Sequence, residues 1–215
     1  MGRFYLVRHG ETEWNAKHRL CGRSDVPLSE AGCDQAQRLA SRLKSIAFEA
    51  LYSSPLRRAL QTARPIAGVV GLAPIIDERL LELDYGAWEG VTLGEIPKID
   101  PETFRAWELD PGQMAPPAGE SGLEAQQRVV SFLDFLAAKH PTGHVVVVFH
   151  KTVCRLAICH VLGIPAAEYR RRLVMGNAAL NIIQHQEGGW QLVTYNDTSH
   201  LAPDYADLAS MAAGF

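Results

Sequence analysis

The 215-residue chain predicts a three-layer α/β/α fold with a mainly parallel central sheet. Three observations carry that expectation. Strand-like apolar runs alternate with segments of helical period, residues 145–149 form a continuous Val-Val-Val-Val-Phe run of the kind buried on both faces of a parallel sheet, and chemically capable side chains fall where such runs end. Open α/β sheets bind their ligands at the carboxyl ends of their strands.

Taken in order, Phe4 to Val7 reads as the first buried strand. Ser29 is an N-cap candidate for a helix whose apolar stripe is Cys33, Ala36, Leu39, Ala40 and Leu43. Residues 50–53 read as a second strand, and Ser54-Pro55 opens a helix through about Val70, in which Pro65 predicts a break or kink. Residues 74–76 form a short strand candidate. The following proline-rich stretch, about 78–120, lacks sustained periodicity and reads as an irregular cap insertion. A helix resumes over 121–139 with Leu123, Val129, Val130, Leu133, Leu136 and Ala137 on or near one face. After the 145–149 strand, a helix from about Thr152 to Leu162 is stopped by Gly163 and Pro165. Residues 179–185 and 190–195, separated by a Glu-Gly-Gly turn, read as two late strands.

One core and no linker, repeat or low-complexity tract imply a single domain over 1–215. Twenty-one Lys and Arg against 24 Asp and Glu leave a net charge of −3, so there is no global basic field to hold nucleic acid or an anionic membrane. An anionic partner must instead meet a local cluster. No apolar run approaches the roughly 18 to 20 residues of a membrane helix, and strand pattern begins at Phe4, so the chain reads as cytoplasmic with no membrane contact. Cys21, Cys33, Cys154 and Cys159 form no CxxC pair and are expected as buried or partly buried thiols, with no metal site. The late strands offer an edge through which a homodimer could form.

Four polar segments should converge at the strand ends: Arg8-His9, Arg57-Arg58, Glu82 and His150. Arginine presents a planar fork matched to phosphate oxygens, and a neutral imidazole is a nucleophile near neutral pH. Leu6-Val-Arg-His-Gly-Glu-Thr-Glu-Trp-Asn15, Ser53-Ser-Pro-Leu-Arg-Arg-Ala-Leu-Gln-Thr-Ala63, Leu81-Glu-Leu-Asp-Tyr-Gly-Ala-Trp-Glu-Gly90 and Val148-Phe-His150 together resemble the histidine phosphatase superfamily, the phosphoglycerate-mutase-like proteins, in order and over nearly the whole chain.

The resemblance implies that His9 attacks phosphorus and carries a transient phosphohistidine that water hydrolyses. Arg8, Arg58 and His150 would bind the equatorial oxygens, and Asn15 would add a neutral donor. Glu82 matches the general acid, which apolar neighbours such as Leu81, Leu83 and Tyr85 would favour in its protonated form; Asp84 and Glu89 are weaker candidates, and a surface pair with Arg79 is the structural alternative for Glu82. Successive helical residues diverge by about 100°, so Arg57 is read as a solvated neighbour. Glu11 and Thr12 should shape the loop after Gly10, with Thr12 a further candidate phosphate donor. Trp14, Trp88 and Trp107 are read either as walls of the substrate entrance or as core. His18, His140, His144, His160, His185 and His200 match no motif and are read as surface or capping residues.

Two departures from the family pattern matter. Lys151 stands where relatives carry Gly after the second histidine, and would either contact a second anionic group on the substrate or point to solvent. Cys21-Gly22 replaces the Gln-Gly or Thr-Gly usual beside the substrate. Leu83 stands where the mutases have an arginine, and the 86–90 segment resembles the phosphatase branch, so return transfer is disfavoured against hydrolysis. The implied activity is therefore a metal-independent phosphomonoesterase acting on a small phosphorylated metabolite without a cofactor. The alternatives are a cofactor-dependent phosphoglycerate mutase and a phospholigand-binding protein impaired in turnover.

Overall fold

A computed structural model describes residues 1–201 of the chain. The order along the sequence is β1 (Gly2–Arg8), α1 (Glu13–Ala16), α2 (Glu30–Leu43), β2 (Ala50–Ser53), α3 (Arg57–Val70), β3 (Pro74–Ile76), α4 (Ile96–Ile99), α5 (Pro101–Leu109), α6 (Gly122–Lys139), β4 (Gly143–Phe149), α7 (Lys151–Leu162), α8 (Tyr169–Arg172), β5 (Leu180–Gln186) and β6 (Gly189–Asp197). The strands form one sheet in the order β3-β2-β4-β1-β5-β6. The first four of these run parallel, and β5 and β6 join antiparallel at one edge.

Alternation along the central strands builds two cores. Tyr5, Val7, Leu51, Val146 and Val148 face α2 and α3, while Phe4, Leu6, Tyr52, Val145, Val147 and Phe149 face α6, α7 and the 78–120 insertion. Every residue of β4 from Val145 to Phe149 is buried, as expected of a strand covered on both faces. Ser29 caps α2 by accepting from the Gly32 amide, and Ser121 caps α6 in a capping box with Glu124.

Four expectations need correction. α3 starts at Arg57 rather than Ser54, because the Ser54 amide continues the sheet by donating to the Val148 carbonyl at 3.0 Å. It also passes through Pro65 without a break, its buried face of Ala59, Thr62, Ala63 and Ile66 being held against the sheet. The insertion is not wholly irregular: Asp100 caps α5 by accepting from the Thr103 amide, Pro101 takes the first turn, and Phe104 and Trp107 enter the core one turn apart. Cys33 is exposed, whereas Cys21, Cys154 and Cys159 are buried.

Candidate active site

Register explains why the key side chains meet. Arg8 pairs with Phe149 across the parallel β1–β4 ladder, and the His9 amide donates to the Phe149 carbonyl at 3.0 Å, so His9 and His150 leave neighbouring strands side by side. Their ring centroids lie 5.2 Å apart. Because β2 pairs Ser53 with Val148, Ser54 arrives beside the same place. These strand ends open into a cavity of about 730 Å³ lined by Arg8, His9, Arg58, Glu82 and Lys151 among others.

The His9 ring has a defined tautomer. Nδ1 lies 2.6 Å from the Gly10 carbonyl, which can only accept, so Nδ1 carries the proton and Nε2 keeps its lone pair. Burial, reinforced by Arg58 and Arg8, holds the imidazole well below its usual pKa, so the ring is neutral at neutral pH. Gly10 is required by close packing: a Cβ there would stand 2.4 Å from the Gly32 carbonyl oxygen. Thr62 accepts from the Gly10 amide at 3.1 Å and donates to the Arg58 carbonyl at 2.8 Å, tying the nucleophile loop to α3.

Arg58 is fully buried. Its terminal nitrogens donate to the Gly22 carbonyl at 2.6 Å and the Ser24 carbonyl at 2.8 Å. Arg8 donates to the Met175 carbonyl at 2.6 Å, and burial, then Arg155, lower its pKa to about 10. Among the described residues the Nε atoms of both arginines find no partner, and neither does Nδ1 of His150. Arg8 and Arg58 line the cavity, and their unpartnered donors suit an incoming oxyanion.

His150 Nε2 lies 2.7 Å from Ser54 Oγ, which also accepts from the Leu56 amide at 3.4 Å. If that hydroxyl donates to Nε2, the proton of the ring resides on Nδ1, the unpartnered atom. Burial, then Arg58 and the adjacent His9, keep His150 well below its ordinary pKa, hence neutral. Its ring is wholly buried beside that of His9.

Glu82 is buried, and its expected alternative pairing with Arg79 does not occur: Arg79 binds Asp77. Nor are its surroundings simply apolar. The carboxylate accepts from the amides of Leu83, Thr152 and Val153 at 2.9, 3.1 and 3.2 Å. It thereby caps α7, whose N-cap residue His150 makes no side-chain cap of its own. Asp84 and Glu89 are engaged elsewhere: Asp84 accepts from the Gly86 amide, and Glu89 accepts from the Arg23 and Ser24 amides.

The remaining expected binding residues divide. Asn15, Cys21, Gly22 and Lys151 line the cavity. Thr12 does not reach it; its side chain is spent on the capping box of α1 with Asn15. Burial pushes the Cys21 thiol up. Gly22 has φ +49°, and a Cβ there would fall 1.9 Å from Glu89 Oε1. Lys151 is the first residue of α7, so a helical backbone replaces any need for glycine there. Arg57 is exposed, Trp88 is core, Trp107 is both core and cavity wall, and His18 sits at the cavity rim.

Sequence reasoning passed over Ser54 and Arg155. Arg155 is buried on α7, lines the cavity and meets the Tyr195 hydroxyl. Its signal was a lone charge in Val-Cys-Arg-Leu-Ala-Ile, a helical stretch otherwise apolar on all sides. Arg170 stacks over Trp107 at 4.0 Å on the same cavity wall.

Comparison with known proteins agrees with this geometry. The pattern of the histidine phosphatase superfamily (branch 1) matches residues 4–198. Phosphoserine phosphatase 1 of Hydrogenobacter thermophilus is 35% identical over 207 residues, spanning 96% of this chain and 98% of the relative. A probable phosphoglycerate mutase GpmB of Proteus mirabilis is 36% identical over 205 residues, spanning 92% and 94%. Among solved structures, YhfR of Bacillus stearothermophilus superposes with a TM-score of 0.87 at 34% identity, covering 94% of this chain and all of that one. With its four motifs assembled at the ends of β1, β2 and β4, the chain belongs to the histidine phosphatase superfamily.

Proposed function

We infer that the protein is a phosphoric monoester hydrolase acting on a small phosphorylated metabolite through a phosphohistidine. The observation that carries this reading is the neutral His9 ring, its proton fixed on Nδ1 by Gly10, among the arginines of the cavity. His9 Nε2 attacks phosphorus as the ester P–O bond breaks. Arg8, Arg58 and His150 donate to the non-bridging oxygens, whose charge is redistributed in the transition state. Glu82 gives a proton to the departing alkoxide; its carboxylate then takes one from the water that attacks the phosphohistidine, releasing inorganic phosphate and restoring both residues.

The preferred substrate carries an acidic group besides the phosphate. Phosphoserine and phosphoglycerate, named for two relatives, are both phosphate esters bearing a carboxylate. Arg155 and Arg170 extend the cationic wall beyond Arg8, Lys151 stands beside them as an amine whose protonation a bound anion would favour, and Glu82 is the buried carboxylate among them. Mutase activity draws support from the names of relatives, whereas the position after Glu82 is occupied by the fully buried Leu83, which offers no cation to a carboxylate.

Rapid-quench labelling with a phosphorylated substrate tests the mechanism. Wild type is expected to trap acid-labile phosphate and release inorganic phosphate, while His9→Ala does neither although Arg8 and Arg58 remain. Turnover at the wild-type rate in His9→Ala would refute the nucleophile; phosphate returned to the acid rather than to water would make the enzyme a mutase.

A further inference from the structure

Glu82 stands on an extended segment between a short turn and the cap, and the backbone around it is gripped by one side chain from α6. Arg128 Nη1 donates to the carbonyls of Arg79 and Leu81, each at 2.8 Å, and Nη2 reaches the Glu82 carbonyl at 3.5 Å. The other edge of the same guanidinium holds Glu120, with Nε to Oε1 at 3.1 Å and Nη2 to Oε2 at 2.8 Å. Glu120 returns to the far flank of the acid, accepting from the Asp84 amide at 3.4 Å, and lies 3.6 Å from Arg23 Nη2. Arg23 belongs to the loop whose Gly22 and Ser24 carbonyls hold Arg58.

From this geometry we propose that Arg128, fixed by Glu120, is a positioning residue that sets the Glu82 carboxyl against the leaving-group oxygen. Both flanks of Glu82 end on the same ion pair, and the side chains are only 17% and 12% exposed, so water does not readily replace the contacts. Arginine is needed because its planar fork reaches two carbonyls on one side and a carboxylate on the other; a lysine ammonium cannot span both. A shift of the acid by a fraction of an ångström would penalise proton delivery while leaving phosphoryl binding by Arg8 and Arg58 largely in place.

The inference rests on the acid role of Glu82, so the test separates the two. Arg128→Lys, Glu120→Gln, Glu82→Gln and the double variant Arg128→Lys/Glu82→Gln are compared on an alkyl phosphate and on p-nitrophenyl phosphate, whose leaving group needs little protonation. Glu82→Gln is expected to slow the alkyl ester by about a hundredfold more than the aryl ester. Arg128→Lys should lose about tenfold more kcat on the alkyl ester than on the aryl one, with KM little moved, and Glu120→Gln should follow in the same direction. In the double variant the Arg128 effect on the alkyl ester should vanish, since there is no acid left to aim. Equal losses on both esters, or an Arg128 effect that persists in full without Glu82, would make Arg128 merely structural and overturn the proposal. No leaving-group dependence in Glu82→Gln itself would instead remove the acid assignment, and the positioning role with it. Glu120→Gln leaves the guanidinium in place and keeps the test open should Arg128→Lys fold poorly.

Discussion

Lys151 illustrates how one side chain links stability to specificity. Burial first, then Arg8 and Arg155, push its pKa down to about 6, with Glu82 opposing. The unfolded chain holds that proton up to about pH 10.4, so between the two values unfolding takes up a proton and stability rises with pH. Below about 6 both states carry the charge and the penalty is complete. Lys151→Met should therefore raise Tm most near pH 6 and by progressively less towards pH 10, as read from thermal melts across the range; parallel melting curves for the two proteins would refute the depressed pKa. An anionic tail bound beside Lys151 favours the ammonium. Lys151→Gly should accordingly lower kcat/KM for phosphoserine relative to a neutral-tailed phosphate ester by about 1 to 3 kcal/mol, and equal effects on both would assign the residue to backbone adjustment. That Lys151 was notable could be read from the sequence, since it departs from the family pattern. Its lowered pKa could not, because Arg8, Arg155 and Arg170, whose charges act on it, come from β1, α7 and α8.

At the scale of elements, helices with strong local signals were legible and those made by context were not. α2 is announced by Ser29 in a cap position ahead of an apolar stripe and begins where that cap places it, whereas α6 was legible from its stripe alone and starts one residue later than expected because Ser121 is its cap. α3 was misread at both its start and its Pro65, because Ser54 is drawn into the sheet ladder and tertiary packing outweighs the lost N–H of one proline. In the insertion, Asp100-Pro101 followed by Phe104 and Trp107 was a helix signal hidden by its brevity. α5 is nonetheless a structural support of the site. Trp107 is 1% exposed and packs against Trp88, Phe104 and Tyr85 at centroid distances of 5.4, 5.9 and 6.4 Å, while Arg170 lies over its ring. Trp107→Ala should cost about 3 to 5 kcal/mol in urea unfolding. It should also raise KM for carboxylate-bearing substrates, since Tyr85 and Arg170 lose the surface that orders them; a stability loss with unchanged KM would confine α5 to the core.

Across the whole molecule, charge is distributed against the net sign. The chain carries −3 overall, yet Arg8, Arg58, Arg155 and Arg170 share one cavity in which Glu82 is already committed to the amides of α7. The parallel register of β1, β4 and β2 accounts for this concentration, delivering residues distant in sequence to adjacent strand ends. A concave site with low-dielectric walls focuses the field of such a cluster, so a dianionic phosphate ester is drawn to it despite the net negative charge of the chain. Ions screen that attraction, with a Debye length of about 10 Å at 0.1 M salt. kcat/KM for a phosphate ester with a carboxylate tail should therefore fall as sodium chloride is raised from about 0.02 to 0.5 M, mainly through KM, because the buried contacts made after binding are screened far less than the approach. A phenyl phosphate without the tail should show a shallower fall, since it meets fewer of the cations. The same measurement on Arg170→Gln should flatten the difference between the two substrates. A salt dependence identical for both substrates in wild type would separate the Arg155–Arg170 wall from substrate recognition and leave the phosphoryl pocket as the sole source of attraction.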